Sequence, residues 1–178
     1  LKKGKLKVGD EIEIKPGLNI KKGYEQTYQT LTTTIVSLQK GNESVKEVSP
    51  GASISIETNL DPFLTKSDSL PCCLVSTKGN LPEISHKIKI KSKLFDEVLG
   101  IEKKEKVEAI KTKEMLMLSV NTTITVGIVE TIKSDTLKGT SELGLSLNIP
   151  IIALKGDNVG IARNINGHWR LIGFGEII

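Results

Sequence analysis

The run Val159-Gly160-Ile161-Ala162-Arg163-Asn164-Ile165-Asn166-Gly167-His168-Trp169-Arg170-Leu171-Ile172 places Asn-Gly between two segments of strand-forming residues. Asn166 and Gly167 both tolerate positive φ, which a two-residue type I′ hairpin turn requires, and that turn matches the twist of its flanking strands. A two-residue loop fixes the register: Ile165 faces His168, Asn164 faces Trp169, Arg163 faces Arg170 and Ile161 faces Ile172. Two arginines directly opposite each other repel. A shared phosphate or a partner's acidic group would relieve the repulsion. An internal Asp or Glu would do so too, as would divergence of the two side chains into water. Trp169, the only tryptophan, suits packing on a barrel and, alternatively, base stacking.

The same period-two pattern extends from this hairpin through the whole chain. Glu11-Ile12-Glu13-Ile14 alternates and then breaks at Pro16-Gly17. Leu31 to Leu38 is rich in Thr, Ile and Val, Ala52 to Ile56 alternates after Pro50-Gly51, and Leu70 to Ser76 is a short apolar run. Ile84 to Leu94 alternates apolar and basic residues. Leu116, Leu118 and Val120, then Ile124, Val126 and Ile128, then Leu143, Leu145, Leu147 and Ile149 repeat the pattern. Only Phe95 to Leu99 reads as a short helical turn. Short strands punctuated by Gly, Pro and Asn predict an all-β protein. Thr77-Lys78-Gly79-Asn80-Leu81-Pro82-Glu83 reads as a linker. It divides the 178 residues into two consecutive small β-barrels, residues 1–83 and 84–178. The chain begins at Leu1 without Met and enters a strand pattern at once, so it reads as a fragment or trimmed product, and the first barrel's opening strand is allowed to lie upstream.

Aromatic residues are 3% of the chain, so the cores are aliphatic. The net charge of +4 is compatible with an RNA partner without establishing one. Lys87, Lys89, Lys91 and Lys93 occupy alternate positions and share one strand face at a spacing of roughly 6.5 to 7 Å. That spacing resembles successive phosphates and allows contacts to an RNA backbone. A solvated face, or lysines guarding a sheet edge, also fits. Cys72 and Cys73 are adjacent, and on a strand they would point to opposite faces, so no bridge between them is expected and a reducing compartment fits. With His86 and His168 standing alone, no zinc site is supported. No apolar run reaches transmembrane length. No P-loop pattern, nucleophile–histidine set or paired-carboxylate site emerges. Asp135, Asp157, Glu130 and Glu142 read as turn and surface residues.

Several segments, in order, resemble one family. Leu6 to Gly17 is similar to the opening hairpin of the second domain of the gamma subunit of archaeal and eukaryotic translation initiation factor 2, a member of the elongation-factor-Tu superfamily. Ile35-Val36-Ser37-Leu38 resembles its next strand. Pro50-Gly51 through Thr58, with Leu60-Asp61-Pro62 and Leu64-Thr65-Lys66-Ser67-Asp68, resembles a motif farther along that domain. Lys113 to Val120 and His168 to Gly175 resemble segments of the third domain.

This resemblance implies a parent GTPase that delivers initiator methionyl-tRNA to the small ribosomal subunit in the cytoplasm. GTP and Mg would sit in an amino-terminal domain absent here, and the present segment would have no cofactor and no catalysis of its own. It implies alpha and beta partner subunits, with the alpha subunit docked on the first barrel. Thr58, Asn59, Asp61 and Lys66 are candidates for the tRNA acceptor-end surface, Thr and Asn as hydrogen-bonding groups and Lys66 as a phosphate neutraliser. Asp61-Pro62 also reads simply as a turn. Gln39, Lys40 and Asn42 form a polar turn that either meets the alpha subunit or is a plain hairpin tip. The family has glycine where this chain has Ala52, Ser55 and Glu57, and a carboxylate at Glu57 would repel phosphate. Asn121 also replaces a glycine, a mild change because Asn tolerates left-handed backbone. A β-barrel protein-interaction module outside translation is the alternative.

Overall fold

In a computed structural model, the chain is described at residues 1–178 except 24, 52, 69, 71, 101–104 and 136–138. Ala52 and the side chain of Asp135 therefore lie outside the described residues. The protein is all-β and forms two compact units, Leu1–Pro82 and Glu83–Ile178.

The first unit contains β1 (Leu6–Lys7), β2 (Glu11–Lys22), β3 (Glu25–Lys40), β4 (Glu43–Val45), β5 (Glu47–Val48), β6 (Ser55–Thr58), a 3₁₀ helix (Pro62–Asp68) and β7 (Leu74–Thr77). Its main sheet runs β4-β3-β2-β7, with β6 also paired to β3, and β1 and β5 form a separate two-stranded ribbon. Leu6, Ile12, Ile35, Leu38 and Val48 make its small aliphatic core. Pro16-Gly17 does not end β2. The strand continues past a register shift between Ile14 and Leu18. Gly17 takes φ 83, and a Cβ there would lie 2.0 Å from the Gln29 carbonyl oxygen. Only glycine lets the two backbones approach at this bulge.

The second unit is a closed barrel of β8 (Ser85–Leu94), β9 (Met115–Val120), β10 (Thr123–Asp135), β11 (Thr140–Ile151), β12 (Asn158–Ile165) and β13 (His168–Ile177), in the order β10-β11-β8-β13-β12-β9. Ile90, Leu116, Leu118, Val129, Ile161 and Ile172 are fully buried inside it. The Asn166-Gly167 hairpin forms with φ of 52 and 82 and the expected pairs Ile165–His168, Asn164–Trp169 and Arg163–Arg170. Beyond these, Ile161 pairs with Gly173 and not with Ile172, because one extra residue enters β13. The bulge lets Ile161 and Ile172 both point inward, and it turns the Leu171 and Ile172 carbonyls toward the N–H groups of Leu99 and Phe95.

Phe95–Leu99 is therefore not helical. Its amides are taken by β13 and by the segment around Lys106, which bridges Glu97, and Val98 enters the core. The one helix among the described residues is instead the 3₁₀ helix Pro62–Asp68. Cys72 is not on a strand either. It takes φ 63 before β7 begins, and both cysteines are half-buried thiols.

Candidate functional site

In the first unit, β6 positions Thr58 opposite Ile35 at one end and Ser55 opposite Gln39 at the other. Thr58 Oγ1 accepts the Leu60 N–H at 3.3 Å. Asp61 Oδ1 accepts the Phe63 N–H at 2.9 Å and the Asp61 carbonyl accepts Leu64 N–H, so Asp61 caps the 3₁₀ helix that Pro62 opens. The turn role of Asp61-Pro62 is thus present in the geometry. Asn59 and Lys66 are exposed beside it, and Phe63 stands 75% exposed on the first turn. The Glu57 carboxylate accepts a 2.6 Å hydrogen bond from the Ser37 hydroxyl across the β3–β6 ladder. Gln39, Lys40 and Asn42 are exposed at the tip of the β3–β4 hairpin, where Gly41 takes φ 60 and Lys40 pairs with Glu43.

A buried charge pair missed in the sequence lies on β2. Glu13 and Lys15 are both buried, although the alternation of Glu11 to Ile14 places Glu13 on the face away from the core. That face is covered by the segment read as a linker. Glu13 Oε1 accepts the Leu81 N–H at 2.7 Å, Lys15 Nζ donates to the carbonyls of Leu81 and Pro82, and the two side chains meet at 3.6 Å. Burial pushes the Glu13 carboxyl up, the N–H groups of Leu81 and Gly79 and the Lys15 ammonium pull it down, and the balance leaves it below its ordinary value.

In the second unit, Lys87, Lys89, Lys91 and Lys93 all point outward from β8, with Ile88, Ile90 and Ser92 buried between them. β8 lies between β11 and β13 in the closed barrel, so these lysines guard no sheet edge. Their electrostatic surroundings differ. Lys87 Nζ is bound by Glu130 at 2.8 and 3.0 Å. Lys91 sits in register with Glu142 on one side and Glu176 on the other. Lys89 faces Gly144, and Lys93 faces Phe174.

The two arginines separate in role. Arg163 forms a two-pronged pair with the Glu114 carboxylate, and its remaining N–H groups donate to the carbonyls of Glu108 and Ala109. Of the alternatives the hairpin register left open, Arg163 meets an internal carboxylate, Glu114, supplied from just before β9. The Arg170 guanidinium lies beside Gly100. Asn121 takes φ 53 in the β9–β10 turn and donates to Asp157, whose carboxylate also accepts the Leu154 N–H, so Asp157 ties two turns together. His86 and His168 are exposed. No group of three or more His, Cys, Asp or Glu gathers among the described residues in metal-binding proximity. None of the described helices is long and apolar enough to cross a membrane.

The outer face of β10, β9, β12 and β13 was not anticipated. Ile128 pairs with Met115, Val126 with Met117, Met117 with Ala162, and Ala162 with Leu171. Met115, Ile124, Ile128, Leu171 and Phe174 are each 41 to 59% exposed. The barrel interior is already filled from the other face, so this apolar outer wall is a surface suited to protein contact. Its signal was in Met115-Leu116-Met117-Leu118, a strand apolar on both faces.

A family model described as "Initiation factor eIF2 gamma, C terminal" matches residues 86–177. Translation initiation factor 2 subunit gamma of Methanothermobacter thermautotrophicus is 41% identical over 177 residues, 99% of this chain. The subunits from Methanocaldococcus jannaschii and Pyrococcus abyssi are 42% and 44% identical over 98% of it. The chain spans 41 to 42% of the length of these relatives. The ordered motifs, the two all-β units and the chain-long similarity agree, and the chain belongs to the translation initiation factor 2 gamma family as a C-terminal part.

Proposed function

We propose that this chain is the non-catalytic C-terminal part of a GTP-dependent initiation factor, holding initiator methionyl-tRNA and partner subunits for delivery to the small ribosomal subunit in the cytoplasm. Residues 1–83 act as the second domain and 84–178 as the third, with GTP and Mg bound in an amino-terminal domain outside this sequence. The similarity running over 98 to 99% of the chain carries this reading. Asn59 and Lys66, exposed beside the Asp61 cap, are the groups best placed to meet a tRNA acceptor end. Gln39, Lys40 and Asn42 offer a polar tip to the alpha subunit, and the outer wall of β9 and β10 offers an apolar surface to a protein partner.

The test is binding of the folded 178-residue chain to the alpha subunit and to initiator methionyl-tRNA, each by calorimetry. Binding of the alpha subunit is expected, and changing Lys40 and Asn42 together to Ala should weaken it. A folded chain that binds neither the alpha subunit nor the tRNA would refute the proposal. The apolar outer wall also favours a second reading, a protein-interaction module with no RNA role. That module would bind protein and show no salt-dependent RNA affinity.

A further inference from the structure

We propose that the trough floored by Gly144 is a phosphate-docking site for an RNA backbone, with Lys89 as its anchoring cation; this rests on the RNA-binding reading above and locates it within the lysine row. Gly144 is the central residue of a three-strand row, paired to Lys89 on β8 and to Thr131 on β10. Lacking a side chain, it leaves the outer surface of the barrel open at this row. A Cβ there would stand 2.4 Å from Thr131 Oγ1. Two adjoining hollows, of about 550 and 260 Å³, both border Lys89, Gly144 and Thr131. Lys155 and the hydroxyl-bearing Ser85 line the larger one.

Charge selects Lys89 from the row. Lys87 is neutralised by Glu130, and Lys91 lies between Glu142 and Glu176. Lys93 has no carboxylate in register, but it sits against Phe174 on the apolar side of the strand, away from the trough. Of the four, Lys89 combines a register position with no carboxylate side chain opposite it and an opening, whose lining also includes Glu130 and the last residue, Ile178. A phosphodiester entering there meets the Lys89 ammonium and the Thr131 hydroxyl at the row, with Lys155 at the rim. The acidic residues on both sides, Glu130 and Glu142, limit the contact to one or two phosphates. A nucleic-acid backbone curving across the barrel touches it at such isolated points. An extended acidic peptide would run its next carboxylates onto Glu130 or Glu142.

The experiment measures association of the 178-residue chain with a short RNA duplex by fluorescence anisotropy over a salt series. Lys89→Ala should weaken binding about five- to tenfold and reduce the slope of log affinity against log salt by about one. Lys93→Ala should produce less than half of that loss. Gly144→Ala combined with Thr131→Ala fills the trough without a charge change, and should weaken binding as much as Lys89→Ala. Trp169 fluorescence and circular dichroism report whether each variant folds. If the double variant does not fold, the comparison of Lys89→Met with Lys93→Met decides. Equal losses at Lys89 and Lys93 would overturn the trough while leaving RNA binding in place. No RNA affinity in a folded chain would overturn both. Tighter binding of a polyglutamate peptide than of RNA, with the same dependence on Lys89, would overturn the assignment to phosphate.

Discussion

Replacing Glu13 by Gln should loosen the attachment of residues 79–82 to β2 and flatten the acid sensitivity of the first unit. The Glu13 side chain is 7% exposed, accepts the Leu81 N–H at 2.7 Å and lies 3.6 Å from Lys15 Nζ. Gln keeps the shape and one carbonyl acceptor but removes the charge. It exchanges a charge-assisted hydrogen bond for a neutral one and removes the carboxylate that lies 3.6 Å from Lys15 Nζ. Hydrogen bonds to charged groups contribute about 1.5 to 3 kcal/mol and neutral ones about 1, so a loss of about 1 to 2 kcal/mol is expected. Glu13→Ala, which also orphans the Leu81 N–H, should cost about 3 kcal/mol. The folded-state pKa of Glu13 is lowered. Its stabilisation is therefore complete above the unfolded carboxyl value of about 4.3 and is lost as pH falls through the folded value. Native-state hydrogen exchange, read at Leu81 and at the amides of β2, measures both effects at neutral pH and at progressively lower pH. The reasoning fails if Glu13→Gln leaves the exchange free energy within about 0.5 kcal/mol of wild type, the range of ordinary surface substitutions. It fails equally if the variant keeps the same acid limb.

Two further outcomes follow from the second unit. Arg163→Leu should destabilise the barrel by about 3 kcal/mol in urea unfolding followed by Trp169 fluorescence, because it leaves the mostly buried Glu114 carboxylate unpaired. Arg163→Lys should recover only part of this, since an ammonium cannot supply the two-pronged contact. Gly173→Ala should cost about 2 kcal/mol or more in the same assay, because its Cβ would lie 2.5 Å from the Lys93 carbonyl oxygen and the core resists such overpacking.

The elements set by local chemistry were legible in the sequence. Asn166-Gly167 specified its turn and the first pairs beyond it, and the alternation of Ile84 to Leu94 put four lysines on one outward face. What failed depended on distant packing. The extra residue at Ile172 follows from filling the barrel interior, so the pair Ile161–Ile172 was out of reach of a turn rule. Glu13 looks solvated in any period-two reading, and its burial arises from a segment more than sixty residues later. The Asp61 cap and Pro62 start carry the signal of a helix opening, whereas the sequence reading gives Asp61 as an acceptor-end contact or part of a turn. Among the candidate residues, pattern alone could not rank the four lysines. Their differences come from Glu130, Glu142, Gly144 and Glu176 on neighbouring strands.

Closure of the second unit leaves its ladder without a first or last strand. A visiting chain finds no row of open amides to extend, as it would at a sheet margin. Recognition on that barrel must therefore be written in side chains and loops alone. Such a surface can exchange one partner for another by substitutions on its exterior, while the backbone that carries them stays as it is.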